Sequence, residues 1–394
     1  MRISYITETF PPELNGVSLT VARSVSFLRE CGHAVELIRP RQPHDAGRAA
    51  ITQLDAEGNS EWLAAGMAIP VYRDLRMGFM SKRRLVKQWK QRRPQLVHVA
   101  TPGPLGWSAV AAANELGITA TSDFRTNFQQ YGQFYGVGCF APLVHNHLRR
   151  FHNKTQLTFV PTHSMESTFA AEGFERLAVV GRGVDAERFR PSRRSNDLRA
   201  RWGVEGDAPV LLQVGRLARE KNIQLAMRAY AAALAQRPDA RMVVVGDGPL
   251  RQALEARHPE VRFVGAQSGD ALAACYASAD IFLFPSLTDT FGNVTLEAMA
   301  SGLAVLAYDT AAAQEHIAHG ESGVVVRPGD ETAFIQAACQ MTACPETLDT
   351  MRVKAREVAL DTSWDAVLRG FESHLLEAAH AGDAKPSDLA VCAA

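Results

Sequence analysis

IFLFPSLTDTFGNVTLEAMASG, residues 281–302, reads as a strand, a loop and a helix. The apolar run Ile281, Phe282, Leu283, Phe284 stops at Pro285, where a ladder donor is lost. Turn residues follow over 286–292, with one acid, Asp289. Asn293 reads as an N-cap, and Val294, Leu296, Glu297, Ala298, Met299 and Ala300 continue as a helix closed by Gly302. A strand that ends in a loop feeding a helix N-terminus is where an open α/β sheet takes ligands. The loop is therefore expected to offer backbone N–H groups to an anion, with one carboxylate in the loop (Asp289) and another in the helix (Glu297).

Working outward, strands are expected at 210–214, 241–245, 261–265, 281–284, 304–308 and 323–327, each followed by a helical pattern. The first half alternates in the same way, with strands at 2–7, 34–40, 95–100, 118–124, 157–161 and within 176–183. Helices follow at 17–31 and from near Pro104, Phe140 and His163. Strands spaced by helices of this length mean a parallel sheet, twice over. The expected class is α/β, with two Rossmann-like doubly wound domains facing a cleft. The charged stretch 184–201 reads as a linker, dividing the chain into domains 1–188 and 189–362. The stretch from Arg41 to about Gly66 carries no assignable pattern, and the tail 385–394 is expected to fray.

At 394 residues two cores are the default, and a formal net charge of zero gives no global attraction to nucleic acid or membrane. The six cysteines form no CxxC pair and no metal-ligand spacing, which points to thiols in a reducing compartment. Without a signal peptide pattern or a bilayer-length apolar run, the chain is expected to be cytoplasmic. One segment departs from neutrality. Residues 81–93, SKRRLVKQWKQRR, hold seven basic residues and no acid, with Leu85, Val86 and Trp89 on one helical face. Two readings stand: a solvated helix whose apolar stripe packs inward, or an interfacial helix against anionic lipid, the chain then lying peripherally on the inner face of the cell membrane.

Three loops of the second half could carry chemistry. In VGRLAREKN, residues 214–222, Arg216 and Lys221 follow a strand, a place for cations that grip phosphate, although the loop is not a Walker A motif. GDGP, residues 246–249, is a second strand-end loop, and the one holding Asp289 is the third. Each alone is as well explained by surface charge or a tight turn; their shared position is the signal. In the first half, Gly16 precedes a helix and Arg125 lies in DFRTN, residues 123–127, at a strand end. His145, His147, His152, His316 and His319 lack an HExxH arrangement, so no structural or catalytic metal is expected.

With these residues in view, the chain resembles the retaining glycosyltransferases of family 4 over nearly its whole length. FPSLTDTFGNVTLEAMASG is similar to that family's acid-x7-acid motif, with Asp289 where many members have Glu and Glu297 as the second acid. VGRLAREKN resembles its diphosphate loop, VVVGDGPLR its next strand and loop, and PPELNGV its N-terminal glycine loop. The branch resembled most is that of GDP-mannose-dependent α-mannosyltransferases and sulfoquinovosyl-diacylglycerol synthases. The resemblance implies the GT-B fold, with a C-terminal helix at 363–380 crossing back onto the first domain. It implies that Arg216 and Lys221, with Gly215 and Gly246, hold the donor diphosphate, and that Glu297 takes the ribose hydroxyls. Asp289 and the N–H groups of Phe291, Gly292, Asn293 and Val294 would grip the transferred sugar and distal phosphate. Val264 and Gly265 would read the base, and Gly16 would lie against the phosphate. The implied partners are a nucleotide-sugar donor and a lipid or saccharide acceptor, with no cofactor and no nucleic acid.

One position departs from the family. A histidine is usual where this chain has Arg125, and a guanidinium cannot act as a general base near neutral pH. Arg125 either binds an anionic group of donor or acceptor, or transfer is impaired. Besides transfer of a hexose, the residues leave open a nucleotide-sugar epimerase and a nucleotide-sugar-binding protein without turnover.

Overall fold

The computed structural model describes residues 1–13, 16–52, 54–68, 76–125 and 141–383. These fall into two compact units, one of residues 1–125, 141–180 and 368–383, the other of Gly181–Val367.

The first unit is built on eight strands: β1 (Arg2–Ile6), β2 (Ala34–Pro40), β3 (Ser60–Ala68), β4 (Arg76–Phe79), β5 (Leu96–Val99), β6 (Thr119–Asp123), β7 (Leu157–Val160) and β8 (Leu177–Val179). Their order is β4-β3-β2-β1-β5-β6-β7-β8, parallel except where β3 and β4 pair antiparallel. The strand β3 overlaps the end of the stretch that carries no strand pattern in the sequence, and β4 follows beyond it. SEWLAAGMA is short on β-branched residues and buries both faces at Trp62, Leu63 and Ala64, so no period-2 alternation marks it. The chain winds outward from β1 through β2 to β3, then returns to β5 and winds the other way, so the order reverses between β1 and β5.

The basic helix Lys82–Gln91 belongs to this unit. Leu85, Val86 and Trp89 are buried in its core, so the apolar stripe packs inward while Lys82, Arg83, Arg84, Lys87 and Lys90 stay exposed. The C-terminal helix runs Trp364–Asp383. Its part from Leu368 onward lies on the sheet of the first unit, with Phe371 edge-on to His98 and Phe159 at 5.1 and 5.2 Å and Glu372 Oε1 2.7 Å from His33 Nε2.

The second unit has six strands, all parallel: β9 (Val210–Val214), β10 (Arg241–Val245), β11 (Arg262–Gly265), β12 (Ile281–Phe284), β13 (Ala304–Tyr308) and β14 (Gly323–Val326). Their order is β11-β10-β9-β12-β13-β14. β9, β12 and β13 are buried along their whole length, which is why they read as unbroken runs rather than alternating ones. Leu212, Val214, Phe282 and Phe284 pack with Leu296 and Met299 of the helix Asn293–Ala300 on one face. On the other, Leu211, Leu283 and Leu306 pack with the helices Ile223–Gln236 and Glu331–Ala343.

The stretch expected to be a linker is instead part of this unit. Arg194 Nη2 and Arg199 Nη1 lie 2.9 and 3.2 Å from the two oxygens of buried Asp280, which also accepts from Val210 N at 2.8 Å. Phe189 packs edge-on against Tyr276. The charges that suggested solvent therefore satisfy a buried carboxylate, and the division falls at residue 181 rather than 189.

Candidate functional site

In the second unit β9 lies between β10 and β12, and the helices that follow β9 and β12 pack on opposite faces of the sheet. This is the switch point of an open α/β sheet, where a crevice forms outside the carboxyl ends of the strands. The loop after β9 holds Arg216 and Lys221; the loop after β12 holds Asp289.

The two loops meet. Lys221 Nζ donates to Asp289 Oδ1 at 2.6 Å, Thr288 Oγ1 donates to Glu220 O at 3.3 Å, and Lys221 Nζ sits 6.0 Å from the Phe284 ring centroid. Asp289 Oδ2 is buried and accepts no hydrogen bond among the described residues. Arg216 is half exposed, with Nη1 3.8 Å from Oε1 of buried Glu220. A short 3₁₀ turn, Arg219–Lys221, ends at Asn222 in the left-handed region and turns Lys221 toward the β12 loop.

The loop after β10 packs beneath the first. Gly215 N donates to Val245 O, Leu217 N to Asp247 O and Leu250 N to Leu217 O, at 2.9 to 3.0 Å. A Cβ on Gly246, whose φ is +144°, would lie 1.9 Å from Gly215 O, so only glycine allows this approach. Gly246 N in turn donates to Gly265 O, which ties in the end of β11, where Gln267 Nε2 donates to Val264 O at 2.9 Å. Gly215, Gly246, Val264 and Gly265 thus line up along adjacent strand ends.

On the β12 side the helix Asn293–Ala300 starts one residue earlier than the sequence suggests. Gly292, at φ +82°, is the N-cap and Asn293 is the first helical residue, because only the left-handed glycine makes the turn beside the Phe284 ring. No side chain caps this helix start. Glu297, one turn on, accepts from Tyr276 Oη at 3.0 Å. Burial pushes its carboxyl up to about 7, against the lowering effect of that hydrogen bond. Tyr276 is a site residue the sequence does not single out, since it comes from a different helix (Gly269–Ala277) and reads there as ordinary core.

Gly16 and Arg125 belong to the first unit. Gly16 is exposed and opens the helix Gly16–Glu30; its neighbours Leu14 and Asn15 lie outside the described residues, as do Thr126 and Asn127. Arg125 is buried and donates from Nε to Asp123 Oδ2 at 2.6 Å. At the β1/β5 switch point the sequence also passes over Glu8. Its Oε1 accepts from Leu105 N at 3.0 Å, and burial pushes its carboxyl up to about 7. A Cβ on Gly103 would fall 1.9 Å from Glu8 Oε2.

Two of the histidines pack within the first unit: His152 is buried with Nδ1 2.9 Å from Ser122 Oγ, and the His147 ring lies 4.7 Å from the Trp107 ring, tilted by 42°. No group of three or more His, Cys, Asp or Glu side chains could hold a metal ion among the described residues.

Family profiles match both units, "Glycosyltransferase Family 4" over residues 14–188 and "Glycosyl transferases group 1" over 208–343. The GDP-mannose-dependent alpha-mannosyltransferase of Mycolicibacterium smegmatis is 32% identical across 93% of this chain and 95% of that protein. The chain belongs to glycosyltransferase family 4. The sulfoquinovosyl transferase SQD2 of Arabidopsis thaliana is 29% identical over 75% of this chain and 59% of that one. The solved structure of Anabaena Alr3699/HepE in complex with UDP matches with a TM-score of 0.75 at 16% identity, covering 96% of this chain and all of that one. The fold is GT-B, and this family 4 glycosyltransferase is a hexosyltransferase. No helix among its described residues is long and apolar enough to cross a membrane.

Proposed function

We propose that this glycosyltransferase moves mannose from GDP-mannose to a hydroxyl of a lipid or saccharide, with retention, giving an α-linkage. The observation that carries the reading is the meeting of Lys221 and Asp289 across the β9/β12 switch point; the similarity to GDP-mannose-dependent mannosyltransferases supports the choice of donor. Breaking the sugar–phosphate bond puts oxocarbenium character on the sugar and negative charge on the leaving diphosphate. Arg216 and Lys221 stabilise that charge more in the transition state than before it, as fixed charges aimed at a developing anion do. Asp289, with the N–H groups at the start of the helix Asn293–Ala300, orients the sugar and the distal phosphate, and Glu297 accepts from the ribose hydroxyls. Val264 and Gly265 present backbone groups to the base.

No carboxylate is assigned as a covalent nucleophile. The acceptor hydroxyl attacks on the face the leaving group departs from, its oxygen bonding to the anomeric carbon as the carbon–phosphate oxygen bond breaks. The proton passes to the departing phosphate oxygen. Two side-chain cations do the neutralising, so turnover is expected to need neither a divalent metal nor a cofactor. The exposed basic face of Lys82–Gln91 would hold the protein peripherally on the anionic inner face of a cell membrane, where a lipid acceptor is presented.

A second reading, a UDP-sugar donor with diacylglycerol as acceptor, rests on the resemblance to the sulfoquinovosyl-diacylglycerol synthase branch. One experiment separates them. GDP- and UDP-sugars are screened for thermal stabilisation of the protein, and the hit is incubated in labelled form with membrane extract. Stabilisation by GDP-mannose and label in an α-mannoside support the first reading; stabilisation by UDP-sugars alone supports the second, and neither outcome would reject both.

A further inference from the structure

Arg125 lies two residues past the end of β6, one strand away from the β1/β5 reversal, next to side chains that share one face of the first unit's sheet. Tyr5, His98 and Thr121 stand opposite one another in register on β1, β5 and β6, and His98 Nδ1 is 2.9 Å from Thr121 Oγ1. Asp123 Oδ2 is the hub. It lies 3.3 Å from His98 Nε2 and accepts from Arg125 Nε at 2.6 Å and from Arg125 Nη2. Arg125 Nη2 also reaches Tyr5 Oη at 3.4 Å. One edge of the guanidinium is therefore held by Asp123 while the other, Nη1, points away from it.

Nη1 is buried and has no hydrogen-bond partner among the described residues, on a residue only 9% exposed. A guanidinium cannot lose its proton to escape this, unlike a buried lysine or histidine. A buried charged donor left unpaired costs more than its hydrogen bond would return, so such an atom in a native site calls for a partner beyond the described residues. His98 adds no charge, because burial pushes its imidazole below the usual range. With Asp123 and Arg125 cancelling, the open edge is a rigid, charge-assisted donor aimed away from its counter-ion.

We infer that Arg125 Nη1 is a binding site for an anionic oxygen (phosphate, carboxylate or sulfonate) carried by one of the two substrates. The residue is thus a specificity determinant for a charged substrate, where an imidazole would serve a neutral one. The charge could reside on the transferred sugar or on the acceptor; the same fork would hold either. The inference rests on the glycosyltransferase reading for the identity of those substrates.

Calorimetry on the full-length protein with two matched pairs tests it. The acceptor arm compares sn-glycerol 3-phosphate with glycerol and contains no nucleotide, so it reads Arg125 even if GDP-mannose is not the donor. The donor arm compares GDP-mannuronate with GDP-mannose. The anionic member of one pair is expected to bind at least about tenfold tighter, and Arg125→Gln to bring that ratio to about one. Arg125→Lys keeps a cation for Asp123 and serves if the glutamine variant does not fold. It is expected to lower the ratio at least threefold, since one ammonium lacks the second edge. A ratio near one in both pairs for the wild type, or a ratio that neither substitution changes, would overturn the inference. Failure of both GDP-sugars to bind, with the acceptor ratio intact, would count against the donor and not against Arg125.

Discussion

Lys221 Nζ and Asp289 Oδ1 are 2.6 Å apart, although 68 residues separate them in the chain and each comes from a different strand-end loop. The pair closes the switch point of the second unit and brings together the cation and the acid that the proposed reaction needs. A diphosphate arriving there finds Lys221 already aimed by Asp289, with Arg216 half exposed on the same loop and its Nη1 3.8 Å from Glu220 Oε1.

Lys221→Ala is expected to lower kcat by a factor of about 10²–10³, close to 3 kcal/mol of barrier, as loss of one preorganised donor does. It also leaves Asp289 unpaired, so Asp289→Asn in the same background should recover stability without recovering rate. Steady-state turnover and melting temperature of the single and double variants check this. A single variant with near wild-type kcat contradicts the role.

Glu297 gives the pH dependence. Its carboxyl titrates near 7 in the fold against 4.5 for an ordinary glutamate, because burial favours the protonated form. The unfolded chain loses this proton first, so stability from Glu297 is present below pH 4.5 and is lost as pH rises to about 7. Relative to wild type, Glu297→Gln should gain about 3 kcal/mol across that interval. Ribose hydroxyls donate best to an ionised carboxylate, so the wild type should bind the nucleotide sugar more tightly above pH 7 than below it, and the glutamine variant should not. Denaturant melts and calorimetry at pH 5, 6, 7 and 8 measure both; matching profiles for the two proteins would refute the assignment.

Gly246→Ala should destabilise the second unit. The added methyl would overlap Gly215 O and sit at φ +144°, a combined strain expected to exceed about 1–3 kcal/mol. Thermal melts followed by circular dichroism read this, and an unchanged transition would mean that the two loops do not pack as described.

Charge reversal at Arg83, Lys87 and Lys90 separates surface from core. These side chains are exposed while Leu85, Val86 and Trp89 of the same helix are buried, so the triple glutamate variant should keep its melting temperature. Its partition onto vesicles containing anionic lipid should fall by about 1 kcal/mol per residue changed. Equal binding of both proteins in vesicle sedimentation would remove the membrane contact.

Chelation tests the reliance on side-chain cations. Treatment with EDTA is expected to leave turnover unchanged, and loss of activity restored by Mg²⁺ or Mn²⁺ would contradict it.

The sequence was legible where an element is buried on both sides or fixed by glycine. β9, β12 and β13 stand out as unbroken apolar runs, and Gly292 and Gly302 bracket the helix that bears Glu297. It was not legible where a residue's meaning depends on a distant partner. The charges of 184–201 read as solvent-seeking until Asp280 is seen beneath Arg194 and Arg199. Tyr276 and Glu8 pass without notice because Glu297 and Leu105 N, their partners, are remote in the chain. β3 escaped because its small residues show no alternation. The pattern of loops at strand ends was in the sequence; that the β9 and β12 loops touch through Lys221 and Asp289 was not.

A crystal structure with GDP-mannose bound, or its non-hydrolysable analogue, tests the central claim most directly. The account predicts diphosphate oxygens within hydrogen-bond distance of Arg216 and Lys221, and ribose hydroxyls on Glu297. Nucleotide bound elsewhere, with Lys221 still on Asp289 and both turned from it, would contradict the account.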